Sequence, residues 1–299
     1  MNNFKLPDET HVSRVHLRTA NLAGVLEFYQ KAIGLRVIDR TESEASLSAT
    51  GSTPAFLVLT EVRTANPRPH PATGLYHLAI RFPTRRDLAQ TYLRIVAADY
   101  PIDGASDHGM GESIHLNDPD GNGVELYADR PRSEWPRRNG RLHMHTQALD
   151  FDSLLATTGG DPIPANVPAQ TDIGHINLYV ADLKEAEKYF HEFLGLDVMA
   201  RIDNATFLGA GGYHHHVAVN TWAGKTPAPE NSVGLISYRF ALPNAQALVK
   251  PKDRARLFGY ESQIAGDILQ VRDPNGHWLE LEIAPKARSV AEGTGRIKA

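Results

Sequence analysis

The segment HLRTANLAGVLEFYQKAIGLRV (16–37) returns later in the chain as NLYVADLKEAEKYFHEFLGLDV (177–198), and this pair decides the fold. Leu17, Ala20, Leu22, Gly34 and Val37 align with Leu178, Ala181, Leu183, Gly195 and Val198 at a constant offset of 161 residues (17 to 178, 34 to 195). A second pair supports the first. DPDGNGVELY (118–127) returns as DPNGHWLELE (273–282), carrying Asp118, Gly121 and Glu125 onto Asp273, Gly276 and Glu280 at an offset of 155 (118 to 273, 125 to 280). Self-similarity over this much of a chain marks duplication, so the two halves are read as copies.

Working outward, each half divides into two units. VHLRT alternates like a strand. Asn21 or Thr19 can then cap a helix whose apolar residues Leu22, Val25, Leu26, Phe28 and Tyr29 fall at helical spacing, and Gly34 ends it. Short strands follow around RVIDR, ASLSA and AFLVLTEV. A second unit opens at GLYHLAIRF, has a helix after Thr84, and closes with ESIHLND, a DPDGNG turn and the strand VELYA. Units three and four repeat the plan from Asp172 and Gly234. One strand, one helix and three strands, four times over, is an α+β pattern of four βαβββ modules. The expected organisation is an N-terminal domain over 11–129, a linker over 130–171, a C-terminal domain over 172–284, and a polar tail over 285–299. Proline and glycine dominate the ends of the linker, while LDFDSLL inside it has the apolar residues to pack on the body.

Composition limits the chemistry. With 41% hydrophobic and 22% charged residues, the 299-residue chain has the make-up of a soluble globular protein. A net charge of −4 and the lack of a long Lys/Arg run argue against nucleic acid as a partner. No apolar run approaches the roughly 18 residues of a membrane span, and MNNFKLPDET lacks the basic and apolar regions of a signal peptide. A cytoplasmic location is expected. The absence of cysteine excludes thiolate nucleophiles and sulfur-ligated metals. Any metal must be held by nitrogen and oxygen, and 14 histidines stand ready to supply the nitrogen.

Duplication allows equivalent positions to be compared. Arg14 corresponds to His175, Ser237 to His77, Glu280 to Glu125 and Gln270 to His115. Imidazoles are thus concentrated in units two and three. Unit three adds GGYHHHVAVNTW (211–222), where strand alternation would send His214 and His216 to one face and His215 to the other. Two neutral imidazoles and one carboxylate with other positions open form the facial triad of non-heme Fe(II), and Mn(II) can use the same set. His77, Glu125 and His175 are the candidate ligands, which requires units two and three to face one cleft. The competing choice pairs units one and two and uses His16 in place of His175. A site in unit four is weaker, because Ser237 cannot replace an imidazole. Taken singly, each of these residues is more readily explained by packing or hydrogen bonding, and the metal reading rests on the set; His11, His70, His143, His145, His191 and His277 stay with that structural reading. DPDGNG lacks the rest of an EF-hand loop and is read as a hairpin turn.

These segments, together with TGLYHLAIRFPTRRDLA, ASDHGMGESIHLNDPDGNGVELYADRP and DIGHINLYVADL, resemble the vicinal oxygen chelate superfamily (glyoxalase, bleomycin resistance and extradiol dioxygenase proteins), and within it the four-module catechol 2,3-dioxygenase-like proteins. The resemblance spans most of residues 11–284. It implies paired βαβββ modules curling around metal clefts and Fe(II)-dependent extradiol cleavage of a small aromatic diol by O₂. It also implies a proton-moving histidine, for which His215 is the candidate by position. His108 and His115 resemble residues that contact the oxygenated substrate, and Tyr127 would line the pocket. The sequence departs from the best-known extradiol enzymes, where the third and fourth modules supply the ligands, since its fourth carries Ser237. Either modules two and three form the cleft or activity has been lost; the full complement in unit two favours the first. The same fold hosts glyoxalase-type isomerases and transferases, and a metal-free protein that sequesters aromatic compounds is a third possibility. Exposed sheet edges and duplicated modules make a homo-oligomer the expected assembly.

Overall fold

The structure is a computed structural model and describes residues 4–284; the tail expected over 285–299 lies outside the described residues. Four βαβββ units are present. Their opening strands are His11–Thr19, Gly74–Phe82, Asp172–Tyr179 and Gly234–Leu242. Three of the four helices begin where the sequence offers a capping group: Asn21 accepts from the Gly24 N–H, Thr84 from Asp87, and Asp182 from Lys184 and Glu185. Unit four has no side-chain cap, and its helix Gln246–Phe258 carries Pro251. The helix of unit one widens to a π turn over Phe28–Ile33 before Gly34, at φ +93°, stops it. The apolar stripe read from sequence is the buried face: Leu22, Val25, Leu26, Phe28 and Tyr29 all belong to the core.

In every unit the opening strand runs parallel to the closing strand of the same unit. The units then join through their opening strands, antiparallel, and this step crosses the halves of the chain. Unit one joins unit four through Val15 opposite Tyr238, and unit two joins unit three through His175 opposite Ala79. The result is an eight-stranded sheet from units one and four and a nine-stranded sheet from units two and three. Neither sheet coincides with one of the sequence halves, 11–129 or 172–284. A single apolar cluster runs beneath both sheets. The ninth strand, Gln147–Ala148, belongs to the inter-half segment and pairs with Gly104–Asp107. LDFDSLL forms the helix Phe151–Ala156, with Phe151 against Tyr92 at 4.9 Å between ring centroids. Among the described residues, no helix is long and apolar enough to cross a membrane.

The DPDGNG segment is a turn. The Asp118 carboxylate accepts from the N–H groups of Asp120 and Asn122, and Gly121 takes φ +81°. Asp273 and Gly276 repeat the arrangement in unit four.

Candidate metal centre

Strand order sets the site. Across the nine-stranded sheet, four neighbouring strands carry His115, Glu125, His77 and His175 in turn. The register brings three of them level, with His115 opposite Glu125, Ala79 beside Glu125 and His175 opposite Ala79, and His77 stands two residues before Ala79 on the same strand face. Residues level on adjacent strands and on one face sit close enough for their side-chain tips to meet. The Nε2 of His77 is 2.9 Å from Glu125 Oε2, that of His175 is 3.1 Å from the same oxygen, and the two nitrogens are 3.3 Å apart. Donors about 2.1 Å from an octahedral ion stand about 3 Å apart along one edge, so a compact N, N, O triangle fits one face of a divalent ion's shell. The Nδ1 atoms of His77 and His175 are buried and without a hydrogen-bond partner, which leaves both rings dependent on what their Nε2 atoms meet.

His175 is only 1% exposed, and burial pushes its pKa down to about 4, which keeps the ring neutral at pH 7. Burial opposes ionisation of Glu125, but the facing rings of His175 and His77 outweigh it and hold the carboxyl below the usual carboxylate range. A neutral imidazole beside an ionised carboxylate is the combination a metal requires. His115 also reaches this cluster, since ligand atoms of His77, His115 and Glu125 lie within 4.8 Å of one another. Its Nε2, however, is engaged by the Ser113 hydroxyl at 3.0 Å.

A cavity of about 530 Å³ opens onto these residues, and His108, Tyr127, His214 and His215 share its wall. The triplet 214–216 precedes the strand Val217–Asn220, so strand alternation does not govern it. This corrects the expected faces. His214 and His215 both turn to the cavity, while His216 stacks on Tyr213 at 4.8 Å and accepts from the Ala210 N–H. The ring of His215 lies 4.1 Å from that of His175, centroid to centroid. His108 meets Thr146 at 3.3 Å. Tyr127 packs over His175 at 5.0 Å and its hydroxyl meets that of Tyr213 at 2.7 Å.

Two features escape a reading of the sequence. The first is His214, whose Nε2 meets Asp129 Oδ1 at 2.9 Å while its Nδ1 faces His215 Nδ1 at 2.8 Å. An Asp one residue beyond VELYA carries no signal of this pairing. The second is the inter-half segment, which brings Met144, His145 and Thr146 to the cavity wall. His145, left with the structural reading, thus lies on the cavity wall. His16, the competing ligand, sits in the other sheet and bonds Thr60 Oγ1 at 2.8 Å.

The equivalent position in the eight-stranded sheet holds no such triangle. Glu280 is met there by Arg239 at 2.6 Å, by Arg14 at 3.3 Å and by Gln270 at 3.0 Å. A side-chain cation fills the place of an ion, so this sheet does not form the second metal cleft that the resemblance implied.

Close approach also constrains Gly174, at the bulge just before His175. A Cβ there would lie 1.6 Å from the Tyr127 hydroxyl. Gly174→Ala is expected to displace Tyr127 and to destabilise the fold by about 1–3 kcal/mol, the usual range for overpacking. A thermal melt with no loss of Tm would show that Tyr127 moves aside at no cost.

Comparison with known proteins agrees with this architecture. A family model described as the Glyoxalase/Bleomycin resistance protein/Dioxygenase superfamily matches residues 11–126 and 172–281. The catechol-2,3-dioxygenase of Bacillus subtilis (strain 168) is 39% identical over 89% of this chain and 95% of its own. The biphenyl-2,3-diol 1,2-dioxygenase 3 of Rhodococcus globerulus is 30% identical over 38% of this chain and 60% of its own. Among solved structures, maize glyoxalase I shares the fold with TM-score 0.56 and 16% identity over 92% of each chain. A structure from Bacillus subtilis subsp. subtilis str. 168 shares it with TM-score 0.68 and 10% identity over 94% of this chain and 87% of that one. The duplicated βαβββ units, the family match over both halves and the 39% identity together make this chain a member of the glyoxalase/bleomycin resistance/dioxygenase superfamily, of the catechol 2,3-dioxygenase-like kind.

Proposed function

We propose that the protein is an extradiol dioxygenase that opens the ring of a catechol-type diol beside its two hydroxyls, using O₂ and an Fe(II) held by His77, His175 and Glu125; Mn(II) suits the same donors. The carrying observation is the convergence of two imidazole Nε2 atoms on one carboxylate oxygen at 2.9 and 3.1 Å. When bound, the ion supplies Lewis acidity toward the diol oxygens and open positions for diol and O₂.

The remaining chemistry belongs to the side chains. Asp129 is an acceptor for both His214 Nε2 and the Tyr213 hydroxyl. In its neutral form His214 then carries its proton on Nε2 and leaves Nδ1 bare. The 2.8 Å contact then requires His215 to donate from Nδ1, which leaves His215 Nε2 as a free acceptor. Burial holds His215 well below the usual imidazole pKa, so the acceptor is neutral. This gives a base, its tautomer fixed from behind, that can take a hydroxyl proton from the diol and return it as the ring opens. The same logic orders the tyrosines: Tyr213 donates to Asp129, so Tyr127 donates to Tyr213. His108 and His115, whose rings stand 6.4 Å apart on the same cavity, are assigned to the oxygenated end of the substrate.

The test is anaerobic purification with metal quantification, Fe(II) reconstitution, and oxygen uptake with catechol. The expected result is one equivalent of metal, uptake equal to the diol consumed, and a yellow product carrying both atoms of ¹⁸O₂. Metal without uptake would transfer the site to an isomerase or transferase. Protein that takes up no metal would be a binding protein.

A further inference from the structure

We infer that this site selects uncharged catechols bearing an apolar substituent and rejects catechols bearing a carboxylate; the inference rests on the dioxygenase reading above.

Charge carries the argument first. Among the described residues lining the cavity there is no lysine or arginine, and the carboxylates are those of Glu125 and Asp129. Glu125 belongs to the metal triangle, and Asp129 is tied to Tyr213 and His214 and lies 3.8 Å from the Arg81 guanidinium. Two arginines that neighbour the wall are already committed. Arg81 forks onto Asp172 at 3.0 and 2.7 Å, and Arg130 onto Asp107 at 2.6 and 2.8 Å. His108 and His145 offer hydrogen bonds but no permanent charge. Arg68 lines a separate hollow that shares only Tyr76, His77 and His115 with this cavity, and it donates to the Leu75 carbonyl. A substrate carboxylate in the cavity would lose its water and gain no unpaired side-chain cation beyond the metal ion that holds the diol.

The wall and its rim point the same way. Met110, Met144, Phe207, Ile202 and Trp222 line the cavity. Ile202 and Trp222 remain 48% and 52% exposed, so the rim presents large apolar side chains to water. Exposed apolar groups gathered at the mouth of a cavity mark a binding surface. Trp222 stands edge-on to Tyr76 at 5.7 Å, which gives a substituent two aromatic faces. A volume of about 530 Å³ falls inside the range of pockets for drug-sized ligands, leaving room beyond a single ring.

The experiment compares kcat/KM of the Fe(II)-loaded protein for catechol, 4-methylcatechol, 3-phenylcatechol and 3,4-dihydroxybenzoate, in the native chain and in Met144→Arg and Trp222→Ala. The phenyl compound should exceed catechol by about 10-fold and the carboxylate should fall about 100-fold below it, the size of effect one buried group has on specificity. Trp222→Ala should erase most of the gain for the phenyl compound. Met144→Arg, which places a cation on the wall, should raise the carboxylate relative to catechol by about 10-fold or more. Catechol turnover with equal turnover of the carboxylate, or with no gain from the phenyl group, would overturn the inference and leave the dioxygenase reading standing. Turnover of none of the four would overturn the dioxygenase reading. Anaerobic calorimetric titration of the same metal-loaded protein would then decide the ligand class: the same ranking of affinities supports it, and a flat or reversed ranking overturns it.

Discussion

His175→Ala and Glu125→Ala proteins will purify without stoichiometric metal and will not consume O₂ with catechol, while Glu280→Gln keeps both. Changes merely behind a metal ligand cost roughly 10–100-fold in affinity, and these two would remove proposed ligands outright, so the loss should exceed about 100-fold. The control is informative because Glu280 stands in unit four where Glu125 stands in unit two, yet its carboxylate is saturated by Arg239, Arg14 and Gln270. The same series decides between His175 and His115. Both reach Glu125 and His77, but His175 points its Nε2 at Glu125 Oε2 from 3.1 Å, whereas His115 gives its Nε2 to Ser113. His115→Ala should therefore keep the metal and lower kcat. Metal retained in His175→Ala and lost in His115→Ala would move the second imidazole to His115. Metal lost in Glu280→Gln would sink the assignment of the site to units two and three.

Much of this architecture is legible in the amino-acid sequence, for identifiable physical reasons. Unit boundaries follow from duplication, and helix starts from short-range chemistry: Asn21, Thr84 and Asp182 each cap the helix they precede. The triangle His77, Glu125 and His175 can be assembled because duplication exposes asymmetry, with imidazole in two units where the others carry Ser237 and Arg14. Pairing of sheets is a different kind of fact. It depends on contacts between strands about a hundred residues apart, such as His175 opposite Ala79, and no local pattern encodes them. The histidine triplet misleads for a local reason. Alternation holds only inside a strand, and residues 214–216 lie in the loop before one. His214 then depends on Asp129 from another unit, a partner that spacing along the chain does not disclose.

The eight-stranded sheet supplies the second large effect, on stability. Arg239→Ala will destabilise the protein by about 3–5 kcal/mol, the cost of removing one partner of a buried ion pair, seen as a marked fall in Tm. The reason lies in where the charges stand. Arg239 and Glu280 are only 8% and 7% exposed, and the guanidinium spans Glu280 at 2.6 Å and Glu282 at 2.6 Å. Without Arg239, Glu280 keeps only Gln270 and the more distant Arg14, so a buried carboxylate is left under-compensated. Arg239 occupies the register position of Ala79, which lies beside Glu125 in the other sheet. One duplicated frame thus meets the same buried carboxylate in two ways, with an arginine in one sheet and with open imidazoles in the other. Adding Glu280→Gln should recover much of the loss in a double-mutant cycle, because it removes the charge that Arg239 was matching. Simple loss of packing would give additive effects instead, with no recovery in the double mutant. Metal content and ring cleavage should stay unchanged in every one of these variants that remains folded, since the proposed metal site lies in the other sheet.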